Sequence, residues 1–95
     1  MFDNPRYLTR GVEAEIPLHL QLFLWNCIDR LPEERDYLQV FRLEPFGETM
    51  QQIRHESEQP EHHMTYLIPT DNPITAKVYV IDDEDHSTML LASEY

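Results

Sequence analysis

The apolar run from Ile16 to Leu31 constrains the fold of this chain more than any other segment. Its first leucines alternate with polar residues, as they would in a strand, but the whole run is too long for a typical strand. Its apolar residues also recur at helical spacing. The stripe that they form consists of Leu20, Phe23, Leu24, Cys27, Ile28 and Leu31. We predict a helix from Pro17 to Leu31, with Gln21 on the solvent side and Trp25 in a second core layer.

Patterns of period two describe most of the remaining chain as strands. A short strand from Arg6 to Val12 precedes the helix, and five strands follow it. The five segments are YLQVFRLE, ETMQQIRHE, HHMTYLI, AKVYVID and STMLLA, and turn-forming residues separate them. The few apolar residues of ETMQQIRHE are typical of a sheet edge. The sequence therefore predicts a single α+β domain over residues 1–95, with one amphipathic helix packed on a mostly antiparallel meander sheet in the order β-α-β-β-β-β-β.

The last two predicted strands are apolar on both faces, which indicates that they lie in the interior of the sheet. One helix can cover only one face of a sheet. Sheet curvature, the N-terminal strand or a second subunit must therefore cover the other face. A homodimer formed through the outer face of the last hairpin is one hypothesis, and added charge at Ile81 or Leu91 would test it.

The chain is strongly acidic, with 18 acidic and 7 basic side chains and a formal net charge of −11. The charge is uneven, since residues 48–95 hold ten acids and two bases, a net charge of −8. Such a field repels phosphate backbones and anionic membrane surfaces, so we expect neither nucleic-acid binding nor membrane association. An acidic face would suit a basic protein partner. Solubility alone also explains a charge of this size.

The chain begins without the pattern of a cleavable leader, and no stretch reaches membrane-spanning length. Cys27 is the only cysteine, so an intramolecular disulfide cannot form. These features favour a cytoplasmic protein in a reducing compartment. Because Cys27 lies on the apolar stripe of the predicted helix, we interpret it as a core residue and not as a catalytic thiolate.

The sequence carries no motif of a common enzyme class. Phosphate-binding loops need clustered glycines, but Gly11 and Gly47 lie far apart in the chain. There is also no Gly-x-Ser-x-Gly nucleophile elbow and no His-Glu-x-x-His motif. The sequence therefore favours a protein without catalytic residues and without a cofactor.

One cluster of histidines and carboxylates suggests metal binding as an alternative function. Successive turns of a meander alternate between the two ends of the sheet, so the second and fourth turns would share an end, roughly 10 Å apart. Imidazoles and carboxylates are ligands for divalent zinc, manganese and iron. The candidate metal ligands are His55, His62, His63, His86 and Asp83. However, consecutive residues of a strand point to opposite faces, and we favour the plainer interpretation that these residues cover solvated turns.

Four stretches of the chain carry a resemblance to a known family. They are NPRYLTRGVEAEIP, LQLFLWNCID, DYLQVF and VIDDEDHSTMLLASEY. They resemble the domain-of-unknown-function family nine-sixty from low-GC Gram-positive bacteria, and the resemblance spans nearly the whole chain. It implies a bacterial, intracellular, one-domain protein, and it brings no activity, cofactor or catalytic residue to this sequence.

Together these patterns predict an acidic cytoplasmic module that binds or regulates a protein partner and is not an enzyme. The alternative function is that of a small protein that binds a divalent metal through the histidine and carboxylate cluster.

Overall fold

A sheet of six strands forms one layer of the protein, and two helices pack on one of its faces. A computed structural model describes residues 2–95. The elements are β1 (Arg6–Leu8), α1 (Arg10–Glu15), α2 (Leu18–Asp29), β2 (Leu38–Phe46), β3 (Met50–Glu58), β4 (Glu61–Pro69), β5 (Ala76–Asp82) and β6 (Ser87–Leu91), followed by a 3₁₀ turn (Ala92–Glu94). The predicted α+β class is confirmed.

The strands lie in the order β1-β6-β5-β2-β3-β4 across the sheet. β1 is parallel to β6, and the other neighbouring pairs are antiparallel. The predicted plain meander is therefore wrong. From the end of β4 at one edge, the chain crosses the ends of β3 and β2 and adds β5 on the far side of β2. This order places the apolar β5 between two strands and leaves the more exposed β4 at the edge.

The side chain of Gln51 holds the segment that crosses from β4 to β5. Gln51 is fully buried near the start of β3. Its amide oxygen accepts a hydrogen bond from the Ile74 backbone nitrogen at 2.8 Å. Its amide nitrogen donates to the carbonyl oxygens of Ile74 and Glu44, each at 2.9 Å. One buried side chain thus supplies the donor and the acceptor that a neighbouring strand would otherwise supply to the crossing segment.

The prediction that ETMQQIRHE forms a sheet edge is wrong, because β3 lies between β2 and β4. Alternate polar residues of β3 are buried on the face that the helices cover. They are Gln51, His55 and Ser57. Side-chain hydrogen bonds make this burial tolerable, and a count of apolar residues cannot detect such bonds.

The segment before the main helix also differs from its prediction. β1 ends at Leu8 instead of Val12. The hydroxyl of Thr9 accepts a hydrogen bond from the Val12 backbone nitrogen at 3.3 Å and caps the start of α1. The short helix α1 is therefore an element that the strand pattern missed.

The main helix is shorter than predicted and is buried around more of its circumference than the predicted stripe, although Leu20, Leu24, Cys27 and Ile28 of that stripe are buried. α2 ends at Asp29 instead of Leu31. Gln21 is buried, contrary to its prediction, because its amide nitrogen donates to the Ile16 carbonyl oxygen at 2.8 Å. Trp25 is buried as predicted, with the Arg6 guanidinium 4.7 Å from the centre of its ring system.

The core lies between α2 and the helix-covered face of the sheet. Fully buried members from the sheet are Phe41, Ile53, Val78, Val80 and Met89, and those from α2 are Leu20, Leu24 and Ile28. The prediction that Cys27 is a core residue is confirmed, since it is 2% exposed. Burial raises the pKa of its thiol to about 11, which keeps the sulfur protonated and unreactive at neutral pH.

The last hairpin lies in the interior of the sheet, as predicted, with β5 between β6 and β2 and β6 between β1 and β5. Tyr79, Ile81 and Leu90 point away from the helices. Leu91 is only 8% exposed and pairs with Val78 on the helix-covered face. Of the two positions chosen to test a dimer, Ile81 therefore lies on the outer face and Leu91 does not.

A chain of buried polar groups joins the start of β2 to His55. The amide nitrogen of Gln39 donates to the Asp36 carbonyl oxygen at 2.9 Å, which turns the amide oxygen toward His55. The Nε2 atom of His55 lies 2.6 Å from that oxygen, so Nε2 carries the proton and donates it in a hydrogen bond. Desolvation of the fully buried ring, with a smaller contribution from His62, lowers the pKa of His55 to about 3.

The carboxylate of Glu94 joins the C-terminal turn to α1. It accepts hydrogen bonds from the Thr9 hydroxyl at 2.6 Å, the Leu91 backbone nitrogen at 2.8 Å and the Gly11 backbone nitrogen at 3.2 Å. The hydrogen bond from Thr9, followed by that from Leu91, lowers the pKa of Glu94. A Cβ atom at Gly11 would lie 2.7 Å from this carboxylate, so glycine is required there while the carboxylate stays in place.

The contact between Gly11 and Glu94 predicts a change of sign in a double-mutant cycle. In the wild-type background, Gly11→Ala should lower the free energy of unfolding, because the new methyl group displaces the carboxylate from its three donors. In a Glu94→Ala background, the same substitution should raise it by roughly 0.5 to 1 kcal/mol, since alanine favours helix over glycine. Urea unfolding of the four proteins measures both effects. Equal effects of Gly11→Ala in the two backgrounds would contradict this contact.

The buried His55 predicts a loss of stability in mild acid. Below its ordinary pKa of 6.5 the unfolded chain binds a proton at this residue, whereas the folded chain does not until about pH 3. Unfolding therefore takes up a proton across this window, and His55 destabilises the metal-free fold by up to about 1.4 kcal/mol for each pH unit lowered. The stability difference between wild type and His55→Gln should shrink as the pH falls from 7 to 4, measured by urea unfolding. His19→Gln, at an exposed position of α2, controls for loss of a histidine. A difference that stays constant with pH would refute the prediction.

Candidate functional site

The two turns that were predicted to share an end of the sheet do so, but they lie farther apart than expected. β5 runs antiparallel to β2, as β3 does, so the β3–β4 and β5–β6 turns lie at the same end. Because β2 lies between the two hairpins, their turns are separated by three strand spacings, about 14 Å, instead of two.

The candidate metal ligands are distributed over three places. His55 and His62 lie on the helix-covered face, with ring centroids 4.6 Å apart. His63 points to the opposite face, with its Nε2 atom 3.1 Å from a Glu61 carboxylate oxygen. His86 lies in the other turn.

The third place, around His86, brings together only two of the candidate ligands. The Nε2 atom of His86 is 3.5 Å from an Asp83 carboxylate oxygen, and its ring packs edge-on against Tyr7 at 5.5 Å between centroids. Within residues 2–95, no three His, Cys, Asp or Glu side chains lie close enough to hold a metal ion. The structure therefore does not unite the five candidate ligands, and metal binding by part of this set stays a prediction.

The face of the sheet opposite the helices carries the other candidate site, which we call the open face. Its apolar and basic side chains are Tyr7, Leu38, Val40, Arg42, Arg54, Lys77, Tyr79, Ile81 and Leu90, and Glu44, Glu56, Glu58 and Glu61 lie on the same side of the sheet. These side chains are partly or largely exposed, whereas their neighbours along each strand of β2, β3, β5 and β6 are buried under the helices. The open face is thus a surface of apolar and charged side chains without a second layer in the described part of the chain.

Three cations form a row across the open face. Arg42 pairs in register with Lys77 on β5 and with Arg54 on β3. Like charges directly opposite one another on neighbouring strands are destabilising. Two carboxylates offset part of this repulsion, since Glu56 lies 3.3 Å from Arg42 and Glu44 lies 3.6 Å from Arg54. The row gathers three of the seven basic residues of the chain on a surface that is close to charge balance.

Lys77 lies beside an aromatic ring, whereas Arg42 and Arg54 each lie beside a carboxylate. Its amine lies 5.4 Å from the centre of the Tyr79 ring, and that ring packs edge-on against Tyr95 at 5.4 Å between centroids. Tyr7 and Tyr95 are 54% and 77% exposed. Exposed tyrosines are enriched among the energetically important residues of protein contacts.

A groove of about 710 Å³ runs over the part of the open face nearest the β3–β4 turn. Leu38, Val40 and Tyr79 are among its apolar residues, and Glu56 and Lys77 are among its charged ones. The groove is open to solvent and is lined by residues from β2, β3, β4, β5 and the loop before β2.

Asp36 fixes the loop that closes one end of this groove. Its carboxylate accepts hydrogen bonds from the backbone nitrogens of Leu38 at 3.1 Å, Glu58 at 3.2 Å and Gln59 at 2.9 Å. Burial alone would raise the pKa of Asp36, but these backbone donors outweigh it and lower the pKa below its ordinary value. The end of the groove is therefore held to both β2 and the β3–β4 turn.

Sequence reasoning missed the cation row because each of its residues lies on a different strand. The signal available in the sequence was weak: the two basic residues of the acidic C-terminal half, Arg54 and Lys77, both belong to the row. Their proximity depends on β5 pairing with β2, which the plain meander excluded.

Comparison with known proteins adds a family and a fold. No curated protein matches the chain. A crystal structure of a protein of unknown function from Enterococcus faecalis is similar, with a TM-score of 0.83 and 23% sequence identity over 98% of this chain and 92% of that chain. This likeness shows a shared fold.

The profile of one family, described as a staphylococcal protein of unknown function, matches residues 5–94. That span includes all six strands and both helices. Neither helix in residues 2–95 is long and apolar enough to cross a membrane. The chain therefore belongs to the domain-of-unknown-function family nine-sixty.

Proposed function

We propose that this protein is a non-enzymatic module that binds a protein partner through the open face. The observation that carries the proposal is the uncovered row of Val40, Tyr79 and Leu90, which pair across three neighbouring strands. Both faces of these central strands are apolar, but the helices pack on only one of them. Contiguous apolar surface of this kind marks interaction sites in soluble proteins.

The distribution of charge supports the same surface. The net charge of −11 repels other acidic surfaces from most directions. On the open face, Arg42, Arg54 and Lys77 offset the carboxylates of Glu44 and Glu56, so an acidic group placed over the cation row meets less of that repulsion. The fitting partner is a protein segment that places carboxylates over the cation row and an apolar or aromatic side chain over the groove.

The net charge by itself favours a basic partner, and such a partner would meet different residues. Glu58 and Glu61 lie at the rim of the groove, in the β3–β4 turn. A partner with basic groups at its margin and acidic groups at its centre would complement both the rim and the row. A second copy of this chain is another occupant, because Ile81 and Leu90 extend the apolar surface beyond the groove. We propose the cytoplasm as the compartment, since the single cysteine is buried and protonated.

Two charge reversals of equal size test the proposal. Lys77→Glu places an acid in the cation row, whereas Arg10→Glu makes the same change in net charge on α1. Tyr79→Ala removes aromatic surface without changing the charge. The wild-type chain and Arg10→Glu should capture the same partner from a lysate of a low-GC Gram-positive bacterium, and Lys77→Glu and Tyr79→Ala should each weaken binding of that purified partner by about tenfold or more.

Calorimetry with the purified partner gives the affinities, and circular dichroism confirms that each variant is folded. Sedimentation of the wild-type chain over a range of concentrations identifies a second copy as the occupant. In that case Lys77→Glu and Tyr79→Ala should shift the equilibrium to monomer. Affinities that fall equally for Lys77→Glu and Arg10→Glu would show that net charge, and not the open face, controls binding.

A further inference from the structure

Two imidazole nitrogens on the helix-covered face of the sheet are buried and have no hydrogen-bond partner in the described part of the chain. They are Nδ1 of His55 and Nε2 of His62. The two rings are neighbours, with centroids 4.6 Å apart. Buried polar atoms are nearly always paired, so two adjacent exceptions need an explanation. A ligand that accepts lone pairs from both nitrogens supplies one.

His55 is already arranged as a ligand. Gln39 holds the proton of His55 on Nε2, which leaves the lone pair of Nδ1 without a partner. A carbonyl oxygen that accepts the other ring N–H is the usual outer contact of a metal-binding histidine. The ring is also fully buried and stacks on Phe41 at 4.3 Å between centroids, so its orientation is fixed.

The separation of the two rings suits a single metal ion. A nitrogen lies about 2.0 Å from a bound ion and roughly 1.1 Å from the centre of its own ring. Two imidazoles that share an ion at an angle of about 90 to 110° therefore have centres about 4.4 to 5.1 Å apart. The observed 4.6 Å lies within this range.

Met64 lies on the same face and is placed to supply a third ligand. It pairs in register with His55 and lies two residues after His62 on β4. Side chains directly opposite one another on antiparallel strands have Cβ atoms about 5 Å apart. The methionine side chain is flexible and 47% exposed, so its sulfur can approach the two rings without moving the core.

We propose that His55, His62 and Met64 form a binding site for monovalent copper. The ligand set is neutral and includes a thioether, and soft ligands of this kind select Cu(I) over harder divalent ions. Divalent zinc favours a closed set of four ligands, commonly with thiolates or carboxylates. Glu61 and His63, which flank His62 on alternate positions, point to the open face and cannot complete such a set.

The proposed copper site differs from the cluster that the sequence predicted and from the open face. It keeps His55 and His62, adds Met64, and leaves out His63, His86 and Asp83. It also lies on the other side of the sheet from the cation row, so the proposal of a copper site and the proposal of partner binding can be tested independently. The competing explanations for the unpartnered nitrogens are a bridging water and a ring rotation that would join the two nitrogens by a hydrogen bond, and neither requires copper.

Anaerobic titration of the metal-free protein with Cu(I), in competition with a chromogenic chelator, tests the site. The wild-type chain should bind one equivalent, and copper should raise its melting temperature. His62→Ala and Met64→Leu should each lower the affinity by at least about tenfold. His63→Ala is the matched control, because it removes the adjacent histidine on the opposite face and should bind as the wild type does. Cys27→Ala should also bind as the wild type, which separates the site from the buried thiol.

X-ray absorption of the copper-loaded protein should show two nitrogen ligands and one sulfur ligand. Absence of uptake by the wild-type chain would overturn the proposal, and so would equal losses in His62→Ala and His63→Ala. Unchanged copper affinity in Met64→Leu would show that the thioether is not a ligand, and it would overturn the assignment of Cu(I). Loss of uptake in Cys27→Ala would assign the copper to the thiol instead.

Discussion

The pairing of β5 with β2 is the contact on which the rest of the structure depends. It places Val78 beside Phe41 under the helices, and it places Lys77 beside Arg42 on the other face. In a plain meander, β5 would have paired with β4, and β3 and β4 would have separated Lys77 from Arg42. The same pairing leaves β4 at the edge of the sheet, where Met64 is half-exposed. The core, the cation row and the exposure of Met64 at the sheet edge therefore all follow from one choice of strand neighbour.

Local patterns in the sequence were sufficient for the elements and insufficient for their order. The segment AKVYVID coincides with β5, because its alternation and flanking turns are properties of adjacent residues. The crossing that brings this strand to β2 depends on a buried side chain. Gln51 binds the backbone of Ile74, which is 23 residues away, and a polar residue in a strand ordinarily indicates solvent. The same misreading made Gln21 a surface residue, although its amide bonds the Ile16 carbonyl.

For the candidate metal ligands as well, the sequence predicted the local arrangement but not which strands are neighbours. Alternation correctly separated His62 from His63, because side chains of consecutive strand residues leave opposite faces of a sheet. It could not show that β2 lies between the two hairpins, and this intervening strand moves His86 away from the other histidines. Nor does charge composition reveal the cation row. Arg42, Arg54 and Lys77 become neighbours only through two strand registers, and each register is set by core residues on the opposite face.

Asp36 links the two faces of the sheet. Its carboxylate anchors the end of the groove by accepting hydrogen bonds from Glu58 and Gln59, in the turn that leads to His62. Its carbonyl oxygen orients Gln39, and Gln39 fixes the protonated nitrogen of His55. A displacement of Asp36 would alter the end of the groove. It would also remove the hydrogen bond that orients Gln39, and with it the contact that fixes the protonated nitrogen of His55. The loop before β2 is therefore the physical connection between the groove on the open face and the adjacent rings of His55 and His62 on the other face.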